Sequence, residues 1–418
     1  MKEKRFAHEN LPPEIQAVAE AMNLDSDKVP EYTVPPLPVD ENTSIADFEQ
    51  NIRPHLLDEF KRSMYGVIPP MCEKLEFVLR KEGKAFNGLA IRREIDIVCQ
   101  NNGIEHIIPM LLYIPSERKG RVPVIFGLNF KGNIAATNDP EVTFRPFVRA
   151  PESWSIRYND GRANESQRGI QAYRWEFEKV LQHGFAAATI CYHDIALDLP
   201  DKFEVGVMRL FYSAEEWYGP NRNTGIISAW AWGIMRALDC LSTQDEIDME
   251  HVVVHGHSRL GKTALWAGAN DERIWLTVSN CSGTCGAKFS HRYYGEDFAW
   301  LNVWNKRWFC TEFQKYDRRD LEYPVDQHFL MAAIAPRLLY IASASNDVYA
   351  DPEGEYLSGV LASSAWNIYG KKGLNDTSFP PCGKLIGEDS IGYYCREGEH
   401  DFTPENWDAL LKFIENNL

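Results

Sequence analysis

The sequence predicts an α/β fold: a mostly parallel central sheet with helices on both faces. Short β-branched apolar runs alternate with longer helix-like segments over most of the 418 residues, as strands do when helices cover both sides of a sheet. The run Val252-Val253-Val254-His255 ends abruptly in Gly256-His257-Ser258, and a helix-like segment follows from Lys262 through Gly268. Ahead of these, Ile91 to Cys99 and His106 to Ile114 flank Asn101-Asn102-Gly103 and read as an antiparallel pair.

The elements follow in order. Residues 1–45 are rich in Pro and acidic residues, and Pro35-Pro36-Leu37-Pro38 predicts an extended stretch. Asp47 to Tyr65 has helical apolar spacing. The expected organisation is an N-terminal extension over residues 1–80, packed on the main α/β domain over residues 81–418. Within that domain Val122 to Leu128 reads as a buried strand. Ala172 to His183 reads as a helix stopped by Gly184, and Ala186 to Tyr192 as the next strand. Gly225 to Leu241 is a long helix, and His251 to His255 is the strand beneath Ser258. Trp275 to Ser279 and Leu338 to Ser343 are further strands, and Gly354 to Tyr369 and Glu405 to Asn416 further helices. The polar stretch from Lys131 to Arg174 lacks periodicity and is expected near the mouth of a site. An antiparallel start followed by parallel strands resembles an α/β-hydrolase.

Composition narrows the function. A net charge of −16 argues against nucleic acid as partner. No apolar stretch approaches the roughly 20 residues of a membrane-spanning helix, so no membrane partner is expected. Met1-Lys2-Glu3-Lys4-Arg5-Phe6 has basic residues but no apolar segment after them, so no secretory signal is expected here. Nine cysteines are too sparse for a disulfide scaffold in a chain of this length. Cys281-x-x-x-Cys285 has no matching second pair, so neither a metal nor another cofactor is expected. Twelve tryptophans and eighteen tyrosines serve packing or provide platforms for sugar rings, and composition does not choose between these.

Strand, sharp turn with Ser258 at the apex, then helix is the form of a nucleophile elbow. The turn lifts a hydroxyl clear of the backbone and aims the first helix amides at the same point, where they stabilise an oxyanion. Leu260 stands where the motif's last glycine is usual, and the glycine comes one residue later, at Gly261. A serine nucleophile needs a histidine, and the histidine an orienting carboxylate, in the chain order Ser, acid, His. Only His291, His328 and His400 follow Ser258. His400 lies in a glycine-containing loop before Thr403-Pro404, a natural helix start, and is the expected base. His328 opens an apolar helix and is expected to be structural or substrate-lining; His255 and His257 are expected to pack. The loop after Trp275 to Ser279 offers no carboxylate. The loop after Leu338 to Ser343 offers Asp347, the expected acid, while Asp351 before Pro352 is expected to cap a helix. Arg259 and Lys262 share one helix face beside the nucleophile. The pair suits an ester on a hydroxyl-rich ring, with Arg259 supporting the oxyanion and Lys262 bonding ring hydroxyls.

Gly256-His257-Ser258-Arg259-Leu260-Gly261-Lys262 resembles the Gly-x-Ser-Arg-x-Gly-Lys element of carbohydrate esterase family 15, the glucuronoyl esterases. The likeness extends to Leu128-Asn129-Phe130-Lys131-Gly132-Asn133, Arg168-Gly169, Arg174-Trp175-Glu176 and Tyr192-His193-Asp194-Ile195. Pro324-Val325-Asp326-Gln327-His328, Ala335-Pro336-Arg337 and Gly398-Glu399-His400-Asp401 also fit. The resemblance implies a serine esterase without a metal that hydrolyses the ester between 4-O-methyl-glucuronic acid of xylan and lignin alcohols. It implies Ser258 as nucleophile, His400 as base, Arg259 as oxyanion donor and Lys262 as a uronate contact. Glu296 matches a sugar-contacting glutamate, and Trp308 and Tyr349 are implied aromatic walls. A secreted or periplasmic location is implied as well.

The sequence departs from the fungal members of that family in two places. Cys281 stands where many of them carry the triad glutamate, which fits the choice of Asp347, the acid position of bacterial-type members. His257 and Glu399 stand where they carry a bridging cysteine pair, so that bridge is absent and other pairings stay open. Rival readings are an acetyl-type carbohydrate esterase on the same fold and a non-catalytic glycan-binding module. Arg259, Lys262 and Glu296 favour a uronate over an acetyl group, and the complete Ser258, Asp347, His400 set favours an enzyme.

Overall fold

Alternation of apolar side chains along the strands sets the architecture. The computed structural model describes residues 13–145, 165–199 and 202–418. Within them the strands are β1 (Lys74–Ala85), β2 (Ala90–Asn101), β3 (Ile104–Pro115), β4 (Val122–Asn129) and β5 (Ala186–Cys191), then β6 (Ile247–His257), β7 (Ile274–Asn280), β8 (Leu338–Ala344), β9 (Leu385–Ile386) and β10 (Ile391–Arg396). They form one sheet in the order β1-β2-β3-β5-β4-β6-β7-β8-β10-β9. β1, β2 and β3 are antiparallel neighbours and β3 meets β5 antiparallel. From β5 to β10 every pairing is parallel, and β9 closes the edge antiparallel to β10. This is an α/β-hydrolase.

Successive residues point to opposite faces of a strand, and here each face has its own apolar core. Val124, Phe126, Val252, Val254, Leu339 and Ile341 enter one cluster. Their neighbours Ile125, Val253, Leu338 and Tyr340 enter the other. Helices Ile226–Leu241 and Arg259–Asn270 contribute to the first cluster. Helices Phe177–Gln182 and Pro404–Glu415 contribute to the second. No helix of the described residues is long and apolar enough to cross a membrane.

Three expectations change. β1 escapes a reading by apolar runs because it is an edge strand with a wet face, studded with Lys74, Glu76, Arg80, Lys81, Glu82 and Lys84; charge on an edge discourages pairing with other chains. It starts at Lys74, so the sheet begins inside the segment expected as extension. The helix expected over 172–183 is only a short turn, Ala172–Arg174, followed by the helix Phe177–Gln182. Glu176 takes a left-handed conformation between them (φ 36°), and the Arg174 carbonyl accepts instead from Trp407 Nε1 at 2.9 Å. The helix expected over 354–369 runs from Pro352 to Ala362, then Ser364 to Asn367. Ser363 marks the break, its hydroxyl donating to the Gly359 carbonyl and accepting from the Leu374 amide.

The helix expected over 47–65 begins at Ile45 and continues to Ser63 through a wider turn at Phe48–Ile52. There Arg53 N donates five residues back, to Phe48 O. Pro54, one residue on, has no N–H to continue the regular ladder. Of the polar stretch expected from Lys131 to Arg174, residues 146–164 lie outside the described residues, as do residues 1–12 of the extension. The described part of the extension is tied to the domain. Helix Pro13–Ala21 packs on helix Phe298–Asn305. The Asn23 carbonyl accepts from Gly295 N, and the Pro35 carbonyl bonds His328 Nε2 at 3.0 Å. His328 is thereby buried against the extension.

Candidate active site

Ser258 sits between β6 and helix Arg259–Asn270 with φ 59° and ψ −130°. Such a conformation costs a non-glycine residue about 1–3 kcal/mol and persists only where the surroundings enforce it. They do so here by close approach. A Cβ on Gly256 would lie 2.0 Å from the Leu260 carbonyl oxygen, and one on Gly261 would lie 2.9 Å from Ser282 Cβ. Ser258 N donates to Asn280 O at 2.9 Å, and Gly261 N to Ser258 O at 2.8 Å. The displaced glycine of the motif is thereby explained. Position 261 is the crowded one, whereas Leu260 sends its side chain into the core, 1% exposed.

β10 leads into the loop that carries His400, the expected base. Arg396, its last residue, donates to the carbonyls of Glu397, Glu399 and Asp401 and so clamps the loop around His400. That loop is joined to the β8 loop by Ser345 N donating to Arg396 O and Asn346 N to Gly398 O. Asp347 follows, buried, and its Oδ2 accepts from His400 Nδ1 at 2.5 Å. The His257 ring, one residue before Ser258, lies 4.4 Å from the His400 ring, centroid to centroid. Asn280 ties the elbow to the His400 loop: its Nδ2 donates to His257 Nδ1 at 2.7 Å and to Asp401 O at 3.1 Å. Asp351 accepts from Gly354 N at 3.1 Å and caps its helix. His255 packs among Trp175, Phe402 and Trp407, and burial pushes its pKa down to about 3, so the ring is neutral.

Cys281 is the surprise of this corner. It is buried, with φ 45°, and donates its N–H to Ala342 O at 2.7 Å. Its Sγ, an Asp347 carboxylate oxygen and a His400 ring nitrogen all lie within 4.8 Å of one another. The loops after β7 and β8 therefore both reach the imidazole, one with a thiol and one with a carboxylate. These three groups have metal-ligand chemistry, but the short His400–Asp347 bond already joins two of them.

A cavity opens beside the elbow, lined by Ser258, Arg259, Lys262, Glu296 and Trp308, with Trp300, Leu301 and Trp304. Lys262 is buried, with its side chain 3% exposed. Its ammonium donates to the carbonyls of Ser282 and Thr284 and stands 3.8 Å from the Glu296 carboxylate. Carbonyls and a carboxylate together make burial of that charge tolerable. Tyr349 does not belong to this lining. It is buried, and its main-chain carbonyl accepts from Glu296 N at 2.9 Å.

Arg259 pairs with Asp198. Its guanidinium carbon lies 5.2 Å from the Trp308 ring centre and 5.8 Å from that of Phe130. Burial opposes its charge, and Asp198 with Tyr192 more than offsets this, holding its pKa above the ordinary value. Arg259 Nε is buried with no hydrogen-bond partner among the described residues.

Three kinds of residue were missed in the sequence. Asp198 is the hub of the arginine side: it also accepts from Trp308 Nε1 at 2.6 Å and Asn305 Nδ2 at 2.9 Å. Its only signal is an acid set in the apolar run Ile195-Ala196-Leu197-Asp198-Leu199. Trp300 and Trp304, four apart on one helix, form the outer wall. Glu355 is fully buried and accepts from Ser282 N at 2.7 Å, Gly283 N at 3.0 Å and Ser343 Oγ at 2.6 Å. Burial, reinforced by the Asp347 charge, pushes its pKa up to about 8. Nothing in Pro352-Glu353-Gly354-Glu355 separates it from an ordinary helix-surface acid.

A nucleophile elbow on this sheet, with an acid–imidazole pair at the ends of β8 and β10, defines an α/β-hydrolase of the serine type. A family profile described as "Glucuronyl esterase, fungi" matches residues 153–371. Carbohydrate esterase MZ0003, from an unknown prokaryotic organism, is 37% identical over 411 residues, 97% of this chain and 94% of that protein. The solved glucuronoyl esterase of Solibacter usitatus superposes with a TM-score of 0.86 at 35% identity, covering 94% of this chain and 99% of that one. The 4-O-methyl-glucuronoyl methylesterase of Hypocrea jecorina is 32% identical over 171 residues, 37% of this chain and 35% of that protein. The chain belongs to carbohydrate esterase family 15, the glucuronoyl esterases, which are carboxylic-ester hydrolases.

Proposed function

We propose that this enzyme cleaves the ester joining 4-O-methyl-glucuronic acid of xylan to lignin alcohols, and that it does so outside the cytoplasm. The observation that carries the reading is the cavity beside Ser258, where Lys262 and Glu296 stand together under tryptophan walls. Sugar rings stack on indole faces, and a carboxylate with an ammonium reads adjacent ring hydroxyls. An acetyl group would give those charges nothing to bind.

Each residue has one task in this proposal. Ser258 Oγ attacks the uronate carbonyl carbon while His400 takes the hydroxyl proton. Asp347 holds Nδ1–H and stabilises the imidazolium. Negative charge on the carbonyl oxygen meets the Arg259 guanidinium, which lines the cavity beside Ser258. The tetrahedral intermediate expels the alcohol, which receives the proton from His400. Water then attacks the glucuronoyl–Ser258 ester with His400 again as base, releasing the acid and restoring the serine. Lys262 and Glu296 orient the ring, Trp300, Trp304 and Trp308 flank it, and Tyr349 acts from behind by fixing Glu296.

The test compares kcat/KM on an alkyl or aryl glucuronate ester, the corresponding galacturonate and a simple acetyl ester. A site that bonds hydroxyls rejects a misplaced one strongly, so the glucuronate is expected to lead clearly, with Ser258→Ala folded and inactive. Comparable constants across the three substrates reject the uronate reading, and a folded, active Ser258→Ala protein rejects the serine mechanism.

A further inference from the structure

All nine cysteines are thiols in this structure, yet Cys382 Sγ and Cys395 Sγ lie only 3.4 Å apart. The backbone presents them to each other. Gly383 N donates to Cys395 O at 2.7 Å, and β9 continues from there in antiparallel register, Leu385 opposite Tyr394 and Ile386 opposite Tyr393. The two side chains thus project from adjoining segments that are already hydrogen-bonded. A disulfide needs its sulfurs about 2.0 Å apart, a further approach of little more than an ångström from the 3.4 Å seen here.

We propose that Cys382 and Cys395 form an oxidisable pair, closed to a disulfide by exchange with the disulfide of an oxidoreductase or with oxidised glutathione. Cys382 is the more exposed of the two, whereas Cys395 is buried and burial holds its thiol above the ordinary pKa. Cys382 therefore attacks first. Its thiolate displaces one thiolate of the oxidant and leaves a mixed disulfide. Cys395, losing its proton, attacks Cys382 Sγ and displaces the oxidant's second sulfur. The protein loses two protons and two electrons, and the oxidant's disulfide becomes two thiols.

The bond falls where it acts on catalysis. β9 has two residues and lies at the sheet edge, where pairing is easily lost. Cys395 is followed by Arg396, the clamp of the His400 loop. A covalent tie between the edge segment and β10 therefore restrains the end of the strand that carries the base. The proposal stands whether or not the substrate is a glucuronate, because its primary readout is chemical.

The experiment oxidises the purified full chain with oxidised glutathione, alkylates remaining thiols, digests and maps the peptides by mass spectrometry. The expected result is a linked peptide joining Cys382 to Cys395 that disappears after reduction before alkylation. Oxidised protein should melt a few degrees above reduced protein, and the increment should vanish in Cys382→Ser. Esterase activity of reduced Cys382→Ser should match that of the reduced parent. Alkylation of both Cys382 and Cys395 after oxidation overturns the proposal. So does an undiminished melting increment in Cys382→Ser. If that variant fails to fold, the peptide map of the unaltered chain decides alone.

Discussion

The oxyanion role proposed for Arg259 asks for a fixed pose, and Asp198 supplies it by pairing with the guanidinium. Arg259→Ala is expected to lower kcat by about a hundredfold or more with a smaller effect on KM, since charge on the oxygen peaks in the transition state. A large rise in KM with kcat preserved would make Arg259 a binding residue only. Asp198→Asn should keep the shape but loosen the guanidinium, and a loss in kcat of about tenfold is expected, the scale of other outer partners that orient a working group. Unchanged turnover in that variant removes Asp198 from the positioning role. Asp347→Asn should cost about 10⁴-fold in kcat at neutral pH, because the amide permits the wrong imidazole tautomer; near-normal turnover would refute the assignment. Ser258, His400 and Asp347 could be singled out because each stands in a local pattern of strand end and turn, and the structure joins His400 to Asp347. Asp198 and Glu355 were not, because their meaning comes from being buried by distant parts of the chain.

At the scale of elements, two loops compete for one imidazole. β7 delivers Cys281 and β8 delivers Asp347 to the same few ångströms around His400. Cys281→Glu in the Asp347→Asn background is therefore expected to restore part of the lost activity. Failure to restore any turnover in a folded double variant would show that the β7 loop cannot present an acid to His400. The N-terminal helix Pro13–Ala21 packs on the helix that carries Trp300 and Trp304, and Asn23 bonds the segment just before Glu296. Removing the chain up to Lys28 should raise KM more than it lowers kcat, as measured on a glucuronate ester; an unaltered KM would reduce the extension to a passive cover. Of the parallel strands, β4 to β8 were read to within a few residues because buried strands are continuous apolar runs, whereas β10 was given no range. β1 was hidden by its charges, and the helix before β5 was overextended because Glu176 breaks it for a tertiary reason, the docking of Arg174 and Trp175 on the C-terminal helix and β6.

For the molecule as a whole, Glu355 links acidity to stability. Its carboxyl ordinarily titrates at 4.5 and is pushed up to about 8 in the folded chain. Between those values the folded state holds a proton that the unfolded state has lost, so this group makes stability fall as pH rises through that window. Melting temperatures from about pH 5 to about pH 8 should therefore decline less steeply in Glu355→Gln than in the parent; parallel curves would remove Glu355 as the source. One peptide unit gives that titration a reach beyond stability. The Gly283 N–H of the Ser282–Gly283 peptide points at Glu355, and the Ser282 carbonyl of the same peptide accepts from Lys262. A carboxylate forming on one side pulls on the N–H, makes the carbonyl more negative and tightens its hold on the ammonium. Lys262 and Glu355 lie on opposite sides of a single amide plane, and through it each senses the charge of the other.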